Sequence, residues 1–170
     1  MRHFYTNILL LLVAISFFAC GKDGLQIVNL SCDYAENPLA VDNKNPLLGW
    51  QLQSQEKGKG QSAYRIIVAS NMSSLKDDVG DLWDTGKTLS SQSVVEYQGK
   101  QLKSRDQIYW KVIVWDENDK SSNWSQAATW TMGLLEPSDW QAKWIGRTED
   151  QFPDSAIVFP APYFRKEFDV

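Results

Sequence analysis

Three acidic residues, Asp116, Glu117 and Asp139, are the candidates for catalysis in this 170-residue chain. A carboxylate acts as a general acid or base when the fold places it beside a reacting group. These three lie in segments whose sequence favours turns, where a carboxylate more often caps backbone N–H groups or faces solvent. We therefore expect no catalytic residue among them.

The N-terminal residues have the pattern of an export signal. Arg2 gives a positive start, residues 8–18 form an apolar run too short for a membrane span, and Ala19 precedes Cys20. A cysteine at this point resembles a bacterial lipoprotein signal, in which the thiol is acylated and becomes the new N-terminus. We expect residues 1–19 to be removed and Cys20 to anchor an exported lipoprotein in the periplasm or on the outer-membrane surface. The alternative is a plain signal peptide with a chance cysteine.

Cleavage also decides which other reactive groups remain. His3, the one histidine, would be lost, so no imidazole is left for a Ser-His pair or for a zinc site that uses histidine. If Cys20 carries lipid, Cys32 has no disulfide partner. Cys32 alternates with Leu30 and Tyr34, which indicates a buried small side chain rather than a reactive thiol. We expect no metal and no cofactor.

The charge balance argues against a nucleic-acid partner. Lys and Arg number 17 against 21 Asp and Glu, which gives a net charge of -4, and no cationic run occurs. Phosphate binding needs clustered cations. We therefore expect no contact with nucleic acid, and contact with a membrane solely through the N-terminal lipid.

Alternating apolar residues predict an all-β fold. The predicted strands are residues 25–34, 47–52, 63–70, 82–84, 94–97, 108–116 and 127–132. Seven short strands separated by turn residues are typical of a β-sandwich of the fibronectin type III or immunoglobulin-like class. Residues 53–61 predict a flexible hairpin loop, and residues 71–75 at most one turn of helix, with Ser73 and Ser74 as acceptable caps.

The strand 108–116 is predicted to be central. One face is wholly apolar, whereas the opposite face, with Tyr109, Ile113 and Trp115, is too apolar to face water alone. We expect residues 140–145 to cover it. Leu102 precedes Ile108 at the spacing of the fibronectin-type leucine and corner tyrosine, so Ile108 removes the usual corner hydroxyl.

The chain divides into five predicted segments. They are the signal peptide 1–19, a tether 20–24, the sandwich 25–134, a linker 135–158, and residues 159–170, which begin a second, truncated β-sandwich. The linker carries Trp140 and Trp144, and linkers that merely tether seldom carry two tryptophans. We expect it to pack against the sandwich.

The run W-S-Q-A-A-T-W-T-M-G-L-L-E-P-S-D-W-Q-A-K-W-I-G, residues 124–146, resembles a junction in bacterial α-L-rhamnosidases of the inverting family with an (α/α)6 catalytic barrel. There it joins a fibronectin-like N-terminal domain to the next β-sandwich. The resemblance implies a glycoside hydrolase whose paired carboxylates lie in the barrel. No catalytic residue is carried over to this chain, and the implied partners are downstream domains of the same polypeptide and rhamnosylated glycans.

Four tryptophans, Trp83, Trp115, Trp140 and Trp144, are candidates for sugar or domain-interface contacts. Indole rings can stack on a pyranose, but they are also enriched at interfaces, which is the interpretation we favour. Three hypotheses remain: an inert structural portion of a rhamnosidase, a carbohydrate-binding surface lipoprotein, and an interaction module that spaces another domain from the membrane.

Overall fold

The computed structural model describes residues 24–143 together with Arg165 and Glu167. One compact unit ends at Asp139, and residues 140–170 form a second unit. The elements in chain order are β1 (Gln26–Cys32), β2 (Leu47–Gln53), β3 (Gln61–Ala69), α1 (Met72–Lys76), β4 (Trp83–Asp84), β5 (Thr88–Leu89), β6 (Val94–Glu96), β7 (Gln107–Asp116), β8 (Ala128–Thr131) and a 3-10 turn (Pro137–Asp139). Among the described residues, no helix is long and apolar enough to cross a membrane.

Two antiparallel sheets confirm the predicted β-sandwich. One sheet has the order β1-β2-β6, and the other the order β4-β3-β7-β8, with β5 also paired to β3. All seven predicted strands between residues 25 and 132 are present, with bounds within two residues of those predicted. The two-residue strand β5 was not predicted. The predicted signal peptide, Cys20 and the start of a second sandwich lie outside the described residues, apart from Arg165 and Glu167.

The core lies between the sheets and is centred on β7. Ile108, Trp110, Val112 and Val114 are fully buried, as their alternation predicts, and Trp50 from β2 is 3% exposed. Ile108 has no hydroxyl to close the neighbouring loop. Tyr97 supplies one instead, because its Oη donates a 2.7 Å hydrogen bond to the Lys100 carbonyl oxygen while its ring lies in the core.

A second, smaller apolar cluster covers part of the outer face of β3 and β7. It joins Ile67, Ala69 and Leu75, with Tyr109 and Trp124 packed against them. Leu75 belongs to α1, so this five-residue helix is stabilised by burial rather than by its own propensity. Within the described residues, the cover over Tyr109 therefore includes α1 and Trp124.

The cap of α1 differs from the prediction. Asn71, not Ser73 or Ser74, is the N-cap, and its side-chain oxygen accepts a 2.9 Å hydrogen bond from the Ser74 N–H. Asn71 has the extended backbone that an N-cap needs. Ser74 is thus the donor of the capping bond.

The loop between β1 and β2 runs alongside β8. The Val41 N–H donates to the Thr131 carbonyl, the Thr131 N–H donates to the Pro38 carbonyl, and Asn37 accepts from the Thr129 N–H. The sequence, which shows two Asn-Pro turns here, does not predict this pairing.

The predicted flexible hairpin at residues 53–61 is held at two points. Gln61 begins β3 and is buried between the sheets. Lys59 is 16% exposed at its side chain and contacts Asp116 at 3.2 Å and Glu117 at 3.1 Å. These contacts cross from the loop to the end of β7, so the end of the loop next to β3 is held by tertiary contacts that its composition does not reveal.

Candidate functional surfaces

The segment that leaves β8 is bonded to the turn before β7. The Gly133 carbonyl accepts from the Arg105 N–H at 3.2 Å, and the Leu135 N–H donates to the Ser104 hydroxyl at 2.8 Å. That hydroxyl donates to the Asp139 carboxylate. Asp139 also accepts from the Glu136 N–H at 3.1 Å. We call residues 133–139 the exit segment.

Packing adds to these hydrogen bonds. Leu135 packs against the main core, and Lys44 reaches across from the β1–β2 loop to pair with Glu136 at 2.6 Å. Gly133 lies so close to this loop that a Cβ there would meet the Ala40 carbonyl oxygen at 3.1 Å. Residues 135–139, predicted as linker, are therefore part of the sandwich unit, which ends at Asp139.

All three candidate acids accept hydrogen bonds from backbone N–H groups, Glu117 from that of Gly60 at 3.4 Å. The Asp116 carboxylate, 3% exposed, accepts 2.9 Å hydrogen bonds from the Lys120 and Asn118 N–H groups. These bonds and the Lys59 ammonium hold the pKa of Asp116 below its usual value. The Ser104 hydroxyl and the Glu136 N–H likewise lower the pKa of Asp139. Lower pKa values keep these groups as charged acceptors rather than proton donors.

Cys32 is buried, as its alternation predicts. It is 1% exposed, and burial raises the pKa of its thiol to about 12. A thiol with so high a pKa is not a nucleophile at neutral pH, because the reactive form is the thiolate. Within the described part of the chain, no group of three or more His, Cys, Asp and Glu is arranged to hold a metal ion.

Trp83 and Trp115 lie on opposite faces of one sheet. Trp83 pairs with Val68, which belongs to the core, and its ring meets Tyr97 edge-on at 5.4 Å. Trp115 pairs with Ala63 and lies on the outer face of β7. Residues directly opposite in a ladder share a face, so these two rings do not form one platform for a sugar.

The ring of Trp115 has a cation over it. Lys87 Nζ lies 4.8 Å from the ring centroid and also pairs with Asp119. A cation over a ring competes for the surface on which a sugar would stack. Trp140 is 54% exposed and belongs to the second unit, and Trp144 lies outside the described residues.

Trp124 is a half-buried tryptophan with two cations near its ring, and it was not among the four tryptophans that the sequence suggested as candidates. Lys111 Nζ lies 4.9 Å from its ring centroid and the Arg65 guanidinium carbon 5.8 Å. Both cations are also held by acids, Lys111 by Asp78 and Arg65 by Asp84. Arg65 lies in β3, Lys111 in β7 and Trp124 in the segment between β7 and β8, so no local sequence pattern indicates this cluster.

The two antiparallel sheets define a class of protein, a fibronectin III-like, immunoglobulin-like β-sandwich module. Residues 27–136 match the family model of the Rha78A-like, N-terminal immunoglobulin domain. The chain belongs to this family.

Three proteins similar to this chain are α-L-rhamnosidases. One from Formosa agariphila is 41% identical over 186 residues, a match that covers 95% of this chain and 19% of that protein. The structure of an α-L-rhamnosidase from Dictyoglumus thermophilum superposes with a TM-score of 0.71 at 43% identity, covering 72% of this chain and 14% of that one. The enzyme from Streptomyces avermitilis, solved with L-rhamnose, gives 0.71 at 39% identity, covering 75% and 12%. This chain thus spans less than a fifth of the length of these three relatives.

Proposed function

We propose that this chain is the non-catalytic N-terminal structural module of an exported α-L-rhamnosidase. The parent enzyme would be a glycoside hydrolase that removes terminal α-L-rhamnose from glycans by inversion, with both catalytic carboxylates in a downstream helical barrel. The family membership and the rhamnosidase relatives support this proposal. The partners are then the downstream domains of the same polypeptide.

The bonded exit segment is the observation that carries the structural role. A flexible tether would let a downstream domain sample many orientations. Here Ser104, Asp139 and Leu135 hold residues 133–139 against the sandwich. Fixing those residues sets the direction in which the chain leaves β8, so the module can act as a brace for the downstream domains.

The test compares this chain with the parent polypeptide encoded by the continuous reading frame. Both are assayed for hydrolysis of p-nitrophenyl α-L-rhamnopyranoside. We expect turnover by the parent and none by the 170-residue chain. Turnover by this chain, or a reading frame that stops at Val170, would contradict the proposal.

The brace role has its own test in the parent. The double variant Ser104→Ala/Asp139→Ala should make the exit segment easier to cleave by protease while leaving the rate of hydrolysis under saturating substrate unchanged. The control is Asp42→Ala, because Asp42 is an exposed acid that makes no hydrogen bond among the described residues. Equal cleavage of the double variant and the control would argue against a brace.

Lipid anchoring through Cys20 is part of the same proposal. In a bacterial host that processes lipoproteins, the wild type should incorporate labelled palmitate and sediment with membranes, and Cys20→Ala should incorporate no label. Cys32→Ala is the matched control, since Cys32 is buried in the sandwich. A wild type that incorporates no palmitate, or a Cys20→Ala variant that incorporates as much as the wild type, would favour the plain signal peptide.

A further inference from the structure

A groove runs along one side of the sandwich between β1 and residues 120–128. It consists of two adjoining cavities of about 330 and 290 Å³ that share Ile27 and Gln126 as lining residues. On the β1 side the groove extends from Gly24 to Leu30. At about 3.3 Å per residue, that is a length of about 20 Å, which suits an extended chain better than a small molecule.

The wall formed by residues 121–126 is fixed to β7 by two serines. The Ser122 and Ser125 hydroxyls accept 3.1 Å hydrogen bonds from the Val114 and Val112 N–H groups. Each hydroxyl also donates a 2.8 Å bond to the carbonyl of the next residue, Asn123 or Gln126. The backbone that carries the side-chain amides of Asn123 and Gln126 is therefore ordered before any ligand binds.

The amide side chains of Asn123 and Gln126 are available to bind a ligand. Asn123 and Gln126 are exposed, and neither side chain makes a hydrogen bond within the described residues. Gln26, which is half-buried, and Glu36, which is exposed, line the groove from the β1 side, and their side chains also make no hydrogen bond within the described residues. A ligand can bond to these groups without breaking a bond inside the protein, so little binding energy is lost to rearrangement.

The chemistry of the lining favours sugar hydroxyls. A side-chain amide both donates and accepts, as a pair of neighbouring hydroxyls does. Ile27 and Leu30 give apolar surface between the polar groups, which the C–H face of a sugar ring can cover. The ionic groups on the lining are Glu36 and Lys120, one of each sign, and the whole chain carries a net charge of -4, so a polyanion is disfavoured.

We infer that this groove binds a neutral glycan chain. The inference goes beyond the proposed function, because it concerns the sandwich itself and requires no catalytic domain. An extended polypeptide pairing with the edge of β1 fits less well, since that mode relies on pockets for alternate side chains, and the groove offers free amides instead.

Affinity electrophoresis of the 170-residue chain in gels that contain a neutral α-L-rhamnan tests this inference. The wild type should be retarded in proportion to the polysaccharide concentration. Asn123→Ala/Gln126→Ala should weaken the association roughly tenfold, as expected for the loss of one or two hydrogen bonds. Gln55→Ala, at an exposed amide of the β2–β3 loop, should behave like the wild type.

A second gel with a neutral glucan of equal length shows whether the groove binds glycan chains in general or recognises rhamnosyl units. Retardation by both polysaccharides, lost in the double variant, supports a site for glycan chains in general, and retardation by the rhamnan alone supports recognition of its rhamnosyl units. Absence of retardation in both gels, or equal retardation of the wild type and a double variant with an unchanged circular dichroism spectrum, overturns the inference. Binding of an extended peptide in the absence of glycan binding also overturns it. None of these outcomes depends on whether the parent is a rhamnosidase.

Discussion

The indole Nε1 of Trp50 donates a 2.9 Å hydrogen bond to the side-chain oxygen of Gln61 between the two sheets. The amide nitrogen of Gln61 in turn donates to the carbonyl oxygens of Ser90 at 3.0 Å and Gln92 at 2.7 Å. One buried side chain thereby connects β2, β3 and the loop before β6. Its side-chain oxygen and nitrogen thus have three partners.

Replacing Gln61 by alanine should lower the free energy of unfolding by about 3 kcal/mol, because a buried indole N–H and two carbonyls lose their partner. Urea unfolding at pH 7 measures the change. Gln55→Ala, at an exposed amide six residues earlier, should stay within about 0.5 kcal/mol of the wild type. Similar losses in both variants would show that the bonds of Gln61 contribute little.

Two fully buried tryptophans should respond differently to phenylalanine. Among the described residues, the Trp110 indole N–H is buried with no hydrogen-bond acceptor, whereas that of Trp130 donates to the Met132 sulfur at 3.2 Å. Both substitutions remove similar volume, but Trp110→Phe also removes an unsatisfied polar group. We expect Trp110→Phe to destabilise the fold by about 1 kcal/mol less than Trp130→Phe. An equal or larger loss for Trp110→Phe in urea unfolding would contradict this.

Acid should weaken the fold partly through Asp116. Its pKa is lowered in the folded state by hydrogen bonds from Lys120 and Asn118 and by the Lys59 ammonium. A lowered folded-state pKa gives stability that is present above the unfolded value of about 3.9 and is lost as the pH falls through the folded value. Asp116→Asn should therefore show a smaller fall in urea midpoint between pH 7 and pH 3 than the wild type does. Asp42→Asn, at an exposed acid, is the control, and an unchanged pH profile in Asp116→Asn would refute the role.

The exit segment should become dynamic when Asp139 is removed. Asp139→Ala deletes the acceptor of the Glu136 N–H and of the Ser104 hydroxyl, which itself accepts from the Leu135 N–H. Hydrogen exchange at the Leu135 and Glu136 amides should accelerate roughly tenfold. Unchanged exchange rates at both amides would mean that the packing of Leu135 alone holds the segment.

Much of the fold could be predicted because strand periodicity is local. The alternation in residues 108–116 indicated the central strand and its buried face, and the prediction of a buried Cys32 came from the same kind of pattern. The role of Gln61 could not be predicted, since its partners Ser90 and Gln92 lie 29 and 31 residues away. A glutamine beside a Gly-rich loop gives no sign of burial.

The surfaces were harder to predict than the core. Trp83 and Trp115 are both tryptophans in predicted strands, and the sequence does not distinguish them. The pairing of Trp83 with Val68 and of Trp115 with Ala63 places the two rings on opposite faces of the sheet. The serines that fix residues 121–126 look like ordinary loop residues, and their bonds depend on the position of β7. The sheet face on which a side chain lies and the residues that it contacts depend on the register between strands, which cannot be read from a single sequence.

The pairing of the β1–β2 loop with β8 affects how molecules of this protein meet one another. An unpaired strand at the edge of a sheet offers its backbone to a strand of another molecule, which is a route to aggregation. The N–H and carbonyl of Thr131 are already bonded to Pro38 and Val41 of the same chain. A neighbouring molecule would have to displace this loop before it could extend the sheet at β8, so the loop protects the protein against self-association at that edge.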